Sequence, residues 1–231
     1  MTLEVLADVE SVARQAAEVI ASEARAAVEA RGRFAVAISG GRTPWVMLRA
    51  LSSLDVPWKN VHVFQVDERI APAGHADRNL THLSASLLPA AQSGGPQLHA
   101  MPVESDDLDE AAARYARTLA DVAGSPPVLD LVHLGMGPDG HTASLVPGDP
   151  VLDVTAVDVA LTGPYQGRRR MTLTYPAINR ARRVLWLVTG EDKAAMLARL
   201  RRGDPDIPAG RVLQNHAVVL ADRAAAPQVE G

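Results

Sequence analysis

Asp139, Gly140 and His141 stand inside LVHLGMGPDGHTASLVPG, residues 131 to 148, where glycines follow directly on an apolar run. An imidazole, with an ordinary pKa of about 6.5, can take a proton from water near neutral pH. Asp139 can orient that ring or favour the imidazolium once formed, and it can also serve the turn backbone; the two roles are compatible. Gly135-x-Gly137-x-x-Gly140 formally matches a dinucleotide fingerprint. That reading needs a long helix behind the glycines, and Pro147, Gly148 and Pro150 interrupt within two turns. Of the seven histidines, His141 alone sits in such a loop, whereas His62 and His133 fall within strands and read as structural. His141 and Asp139 lack the companion spacing of a metal site, so no metal is expected.

Three other stretches could act on an anion. In FAVAISGGRTPWVML, Gly40 and Gly41 allow an oxyanion close to the main chain, while Thr43 suits an N-cap and Pro44 the first position of a helix. A helix start with Ser39 and Thr43 hydroxyls beside it is a phosphate cradle; a plain strand-to-helix turn is the alternative. VDER places Asp67, Glu68 and Arg69 at a strand end. There Arg69 can bind an anion and Asp67 can hold a neighbour in place, unless the triplet is a solvated loop. Downstream, Asp77 or Asn79 is expected to cap a helix. GRRRMTLT, residues 167 to 174, concentrates positive charge before a strand, and Lys193 occupies the first turn of a helix, an unfavourable end for a cation. A phosphorylated ligand would explain an Arg of this run, Lys193 and the Ser39-Gly40-Gly41 turn together.

These residues need elements to hold them. Residues 8 to 31 repeat apolar positions at helical spacing and stop at Gly32, and Phe34 to Ile38 is a short continuous apolar strand. Helices are expected from about Pro44 to Leu51, Asn79 to Leu88, 106 to 124 and 190 to 202. Strands are expected at 61 to 66, 97 to 101, 129 to 134, 183 to 189 and 217 to 222, with a frayed tail behind the last. Alternating strands and helices predict an α/β fold, a mainly parallel central sheet with helices on both faces. Ligands of such sheets collect beyond the C-terminal strand ends, where Ser39-Gly40-Gly41, Asp67-Glu68-Arg69, the GMGPDGHT turn and residues 190 to 193 fall.

The chain has 231 residues, 47% of them hydrophobic, enough for a substantial core in one domain spanning 1 to 231. AQSGGPQ at 91 to 97 and GSPPV at 124 to 128 are too short to separate domains. With 27 acidic and 23 basic residues, the net charge of −4 argues against a general nucleic-acid partner. The absence of cysteine excludes disulfides, thiolate metal sites and a cysteine nucleophile. No apolar run approaches the roughly 20 residues of a membrane span, and the N-terminus does not read as an export signal. A cytoplasmic protein is expected.

AISGGRTP, VDER, LGMGPDGHTASLVPG, RMTLTYPAINRAR and LVTGEDKAAML, in that order between about residues 36 and 197, resemble the successive signatures of the 6-phosphogluconolactonase family. The resemblance implies the modified Rossmann-like fold shared with glucosamine-6-phosphate deaminases, and hydrolysis of 6-phospho-D-glucono-1,5-lactone in the oxidative pentose phosphate pathway. It implies no metal or organic cofactor, and a small sugar-phosphate lactone as the partner of a monomer or small homo-oligomer. By resemblance, His141 falls on the catalytic base, Asp67, Arg69, Arg170 and Lys193 on polar residues of the substrate site, and Ser39-Gly40-Gly41 on the phosphate turn. Two departures matter. The deaminases carry a Glu five residues after the corresponding His, where this chain has Val146, and family members usually have a Ser where Arg78 precedes Asn79.

Overall fold

FAVAI and VLWLV are buried along their whole length, as strands covered on both faces must be. The computed structural model describes residues 1–91 and 94–227. Its elements in chain order are β1 (Thr2–Leu6), α1 (Val9–Arg31), β2 (Phe34–Ile38), α2 (Arg42–Leu51), β3 (Val61–Gln65), β4 (Asp67–Arg69), α3 (Asn79–Ala91) and β5 (Gln97–His99). Then come α4 (Leu108–Ala123), β6 (Leu131–Leu134), β7 (Val159–Leu161), β8 (Arg170–Leu173), α5 (Tyr175–Asn179), β9 (Val184–Val188), α6 (Ala194–Arg201) and β10 (Ala217–Asp222). Helix ends follow local chemistry. The Asp8 carboxylate accepts from Ser11 N at 2.7 Å to start α1, Gly32 ends it at φ 73°, and Asp107 caps α4 in the same way as Asp8.

The main sheet has the order β1-β10-β9-β6-β2-β3-β5, and every adjacent pair runs parallel. Chain connections leave the β2–β6 pair in opposite directions, so that pair is the topological switch point where a parallel sheet opens a crevice. The two-residue pleat sorts the core. Phe34, Val36 and Ile38 join Val12, Ile20, Met47 and Leu83 on the face of α1, α2 and α3. Ala35 and Ala37 point to the other face, with Tyr115, Leu119 and Leu197 of α4 and α6. Leu185 and Leu187 against Trp186 and Val188 divide β9 in the same manner.

A second, antiparallel sheet of β4-β8-β7 was not legible as such in the sequence. VDER is neither the tail of β3 nor a solvated loop. Val66 donates to the Ile38 carbonyl of the main sheet at 3.1 Å and accepts from Leu173 N of the small one at 2.8 Å, so the chain changes sheets there. β1, pairing parallel with β10, was likewise unanticipated. The expected frayed tail is tied down as far as 227: Ala225 and Ala226 are buried, and Asp222 accepts from Gly190 N and Ala225 N. Residues 92–93 of AQSGGPQ and 228–231 lie outside the described residues.

Candidate active site

The C-terminal ends of β2, β6 and β9 and one end of the small sheet enclose a cleft of about 350 Å³. Ser39 to Pro44 form one wall. The helix behind this turn starts earlier than expected: Gly41 is the N-cap at φ 136°, Arg42 the first helical residue, and no side chain caps the first turn. The N-cap role expected of Thr43 is therefore not realised. Its hydroxyl lies 3.0 Å from Thr189 Oγ1 instead, joining α2 to the end of β9. The backbone N–H groups of an uncapped helix start carry partial positive charge. Beside them the Ser39 hydroxyl is buried and has no partner among the described residues, a polar atom left for a ligand.

His141 lies on a second wall, in the turn after β6. Asp139 Oδ1 accepts from the His141 backbone N at 3.1 Å and sits 2.6 Å from Nδ1, so turn-building and ring-orienting are done by one carboxylate. With Nδ1 held, Nε2 is the nitrogen left for chemistry. Asp139 itself does not line the cleft. Burial works to raise its pKa, but hydrogen bonds from the His141 side chain and backbone, the charge of that ring and a bond from Tyr165 outweigh burial and hold it below the ordinary carboxylate value.

The third wall is β4 and the start of α3. Asp67 is buried, accepting from Ser144 Oγ at 2.6 Å and, through its carbonyl, from Asn79 Nδ2 at 3.0 Å. Arg69 reaches the cleft and donates to the Asp77 carbonyl at 2.7 Å. The cap expected of Asp77 or Asn79 comes from Glu68, whose two oxygens accept from Asn79 N and Leu80 N, each at 2.8 Å. Glu68 is wholly buried and pairs with Arg78 Nε at 3.1 Å. Arg78, in the place of the family's usual Ser, thus lies behind Asn79 and leaves Asn79 in the cleft wall.

Arg170 closes the site from β8. It is nearly inaccessible, with Nη1 3.5 Å from Ser144 Oγ and Nη2 3.3 Å from Gln166 Oε1. Burial draws its pKa below the ordinary guanidinium value, and Asp67 opposes that pull. Arg168 points outward and pairs with Asp77 at 2.7 Å. Lys193 ends the 3-10 turn Glu191–Lys193 just ahead of α6 rather than sitting inside that helix. Its ammonium lies 2.5 Å from Asp192 Oδ2 while still lining the cleft.

Ser39, Gly40, Gly41, Thr43, Asp67, Arg69, His141, Arg170 and Lys193 thus face one space, with Asp139 directly behind. Sequence reasoning missed Gln166, Thr189 and Ser144, and it missed Tyr165, whose hydroxyl donates to Asp139 Oδ2 at 3.0 Å. The one signal for Tyr165 is its place ahead of the Gln-Gly turn that leads into the basic run. Among the described residues, no group of three or more His, Asp or Glu side chains is placed to hold a metal ion.

The arrangement defines a class: an α/β protein whose switch-point crevice joins an anion-receiving helix start and cations to a carboxylate-anchored imidazole. Comparison with known proteins narrows that class. The model of the glucosamine-6-phosphate isomerases/6-phosphogluconolactonase family matches residues 7–221, and the chain belongs to that family. A 6-phosphogluconolactonase of Mycobacterium tuberculosis is 37% identical, with 99% of this chain and 98% of that one covered. Another, from Nostoc sp., is 35% identical over 86% of this chain and 84% of its own. The crystal structure of a 6-phosphogluconolactonase from Thermotoga maritima superposes with a TM-score of 0.83 at 28% identity, covering 96% of this chain and 98% of that one.

Proposed function

We propose that this chain hydrolyses 6-phospho-D-glucono-1,5-lactone to 6-phosphogluconate, with His141 as the base that activates water. The observation that carries the reading is the Asp139-anchored imidazole sharing a cleft with the uncapped start of α2, the unpartnered Ser39 hydroxyl, Arg170 and Lys193. The phosphate rests on the Ser39–Gly41 main chain and the two cations, which sets the lactone carbonyl before His141. Nε2 takes a proton from water as the water oxygen bonds to C1, giving a tetrahedral oxyanion. Nearby cations or N–H groups stabilise that charge. Collapse breaks the bond between C1 and the ring oxygen, which receives the proton from the imidazolium, and the new carboxyl group ionises.

Val146 supports hydrolysis over the deaminase chemistry of the same family. It is buried and apolar where those enzymes need a carboxylate. Both hydrophobic clusters pack on one main sheet, which supports one domain over residues 1–231. No helix among the described residues is long and apolar enough to cross a membrane. The reading is of a cytoplasmic enzyme, monomeric or a small homo-oligomer, with a small-molecule substrate and neither nucleic-acid nor membrane partner.

The test is His141→Ala, assayed on fresh lactone with spontaneous hydrolysis subtracted. Loss of the base lowers kcat by about 10² to 10⁴, while 6-phosphogluconate binds within about twofold of its parent affinity. A parent protein that leaves the lactone at its spontaneous rate, or releases ammonia from glucosamine 6-phosphate, overturns the proposal.

A further inference from the structure

Tyr165 touches both halves of the candidate site without lining the cleft. Its position is set by a tight hairpin. Gln166 and Gly167 both take left-handed φ values, 51° and 79°, and Tyr165 and Arg168 exchange backbone hydrogen bonds of 2.9 and 3.2 Å across them. Two consecutive residues with positive φ make the turn that matches strand twist, so the Tyr165 side chain leaves a stiff support. From there the phenol reaches the Asp139–His141 pair. It donates to Asp139 Oδ2 at 3.0 Å while Oδ1 serves the imidazole, and its oxygen lies 3.5 Å from Nδ1. The rings meet edge to face with centroids 5.3 Å apart. The Arg170 guanidinium carbon sits 5.0 Å from the Tyr165 ring centroid, within cation–π range.

We propose that Tyr165 is a positioning residue that fixes the Asp139–His141 pair and the Arg170 guanidinium in one arrangement, so that a single side chain sets both the base and part of the anion site. The inference rests on the lactonase reading for its kinetic consequences, although the physical coupling stands apart from it. The hydroxyl draws on the Asp139 charge, so less of that charge is offered to the imidazole. Burial first, and then Asp139, push the Tyr165 pKa upward, which keeps the phenol a donor at neutral pH. The charged groups around His141 are Asp139 on its own turn, Arg42 at the start of α2, Arg170 on β8, Asp67 and Arg69 on β4, and Lys193 ahead of α6. Tyr165 contacts two of these, Asp139 and Arg170.

Tyr165→Phe keeps the ring under Arg170 and removes only the donor. In that variant the Asp139 carboxyl, followed by NMR, titrates at higher pH than in the parent, because one of the hydrogen bonds that hold it low is gone. The acid limb of kcat/KM moves the same way, because the base must be neutral to work. KM and the Kd for 6-phosphogluconate stay within about twofold. Tyr165→Ala adds loss of the cation–π contact and weakens 6-phosphogluconate binding by about two- to fivefold. An unchanged Asp139 midpoint together with an unmoved acid limb in the Phe variant overturns the proposal. So does a parallel loss of kcat, ligand binding and melting temperature in both variants, which marks a merely structural residue. A parent protein without lactonase activity would sink the functional reading, whereas the Asp139 titration would still decide the role of Tyr165.

Discussion

Two glycine turns face each other across the switch point, one after β2 at residues 39–41 and one after β6 at residues 135–141, and they use glycine differently. A Cβ on Gly40 would stand 2.0 Å from Asn79 Oδ1, so this glycine makes room for a side chain from another element. A Cβ on Gly137 would stand 2.1 Å from His141 Nδ1 and 2.6 Å from Asp139 Oδ1, so that glycine makes room for side chains of its own turn. The first turn is a main-chain surface completed from a distance. The second is a self-contained holder for an imidazole. The support of the anion site is therefore spread over the fold, and the support of the base is largely local.

The largest way to break the comparison acts on the distant support. Glu68 fixes Asn79 against Gly40. Its oxygens accept from Arg69 N at 2.7 Å and from Asn79 N, Leu80 N and Gln65 Nε2, each at 2.8 Å, beside the buried Arg78. Glu68→Gln replaces one acceptor oxygen with an amide donor facing N–H groups and removes the countercharge of Arg78. A loss of about 3 kcal/mol in unfolding free energy is expected, because breaking a buried ion pair strands its partner. Chemical denaturation measures this. A change below 1 kcal/mol would mean that Arg78 is sufficiently neutralised by Glu104 alone, 2.7 Å away on its other side.

The next effect is local. In Gly137→Ala the new methyl group cannot coexist with the His141 ring as placed, so the imidazole shifts. A displacement of about 1 Å in a reacting group costs roughly 10² in rate. The expectation is a kcat lowered about 100-fold with 6-phosphogluconate affinity within twofold, read from steady-state kinetics and calorimetry. If affinity falls as far as kcat, the two turns are not independent and the contrast drawn above is wrong.

Much of this geometry was legible because it is short-range or periodic. FAVAI, VLWLV and the long helix behind Asp8 declare themselves by burial pattern and caps. Asp139 and His141 are two residues apart, so their pairing follows from one turn. Lys193 stood out as a cation at a helix start, and the resemblance carried the choice of Arg170. What stayed hidden depends on pairing between remote segments. VDER and RMTL become partners only when β3 ends at Gln65 and Asp67 aligns with Thr172, and three polar residues give no periodic signal. The sequence motif shows Glu68 as one more surface acid, whereas the fold makes it the cap of α3. Thr43 reads as an N-cap by type, yet Gly41, free to adopt a positive φ, takes that position and leaves Thr43 to meet Thr189. Tyr165 carries no chemical spacing to Asp139, from which it is separated by 26 residues.

A smaller test probes a β6 side chain that braces the first turn. His133 lies on β6, two residues ahead of Gly135, and is wholly buried. Both its carbonyl and its Nδ1 lie 3.3 Å from the Ser39 backbone N, so it braces the phosphate-side turn from the strand that carries the other. Burial pushes its pKa down to about 3. The unfolded chain, with an ordinary value of about 6.5, therefore binds more protons between those two limits. Stability attributable to this group is complete above pH 6.5 and falls by about 1.4 kcal/mol for each pH unit below it, until about pH 3. His133→Gln keeps an acceptor for Ser39 but cannot titrate. Between pH 7 and pH 4.5 the parent should lose roughly 2.5 kcal/mol more unfolding free energy than the variant, measured by denaturant titration at both pH values. Equal losses would mean that His133 gains a proton partner on acidification without unfolding, and that the brace between the two turns yields before the fold does.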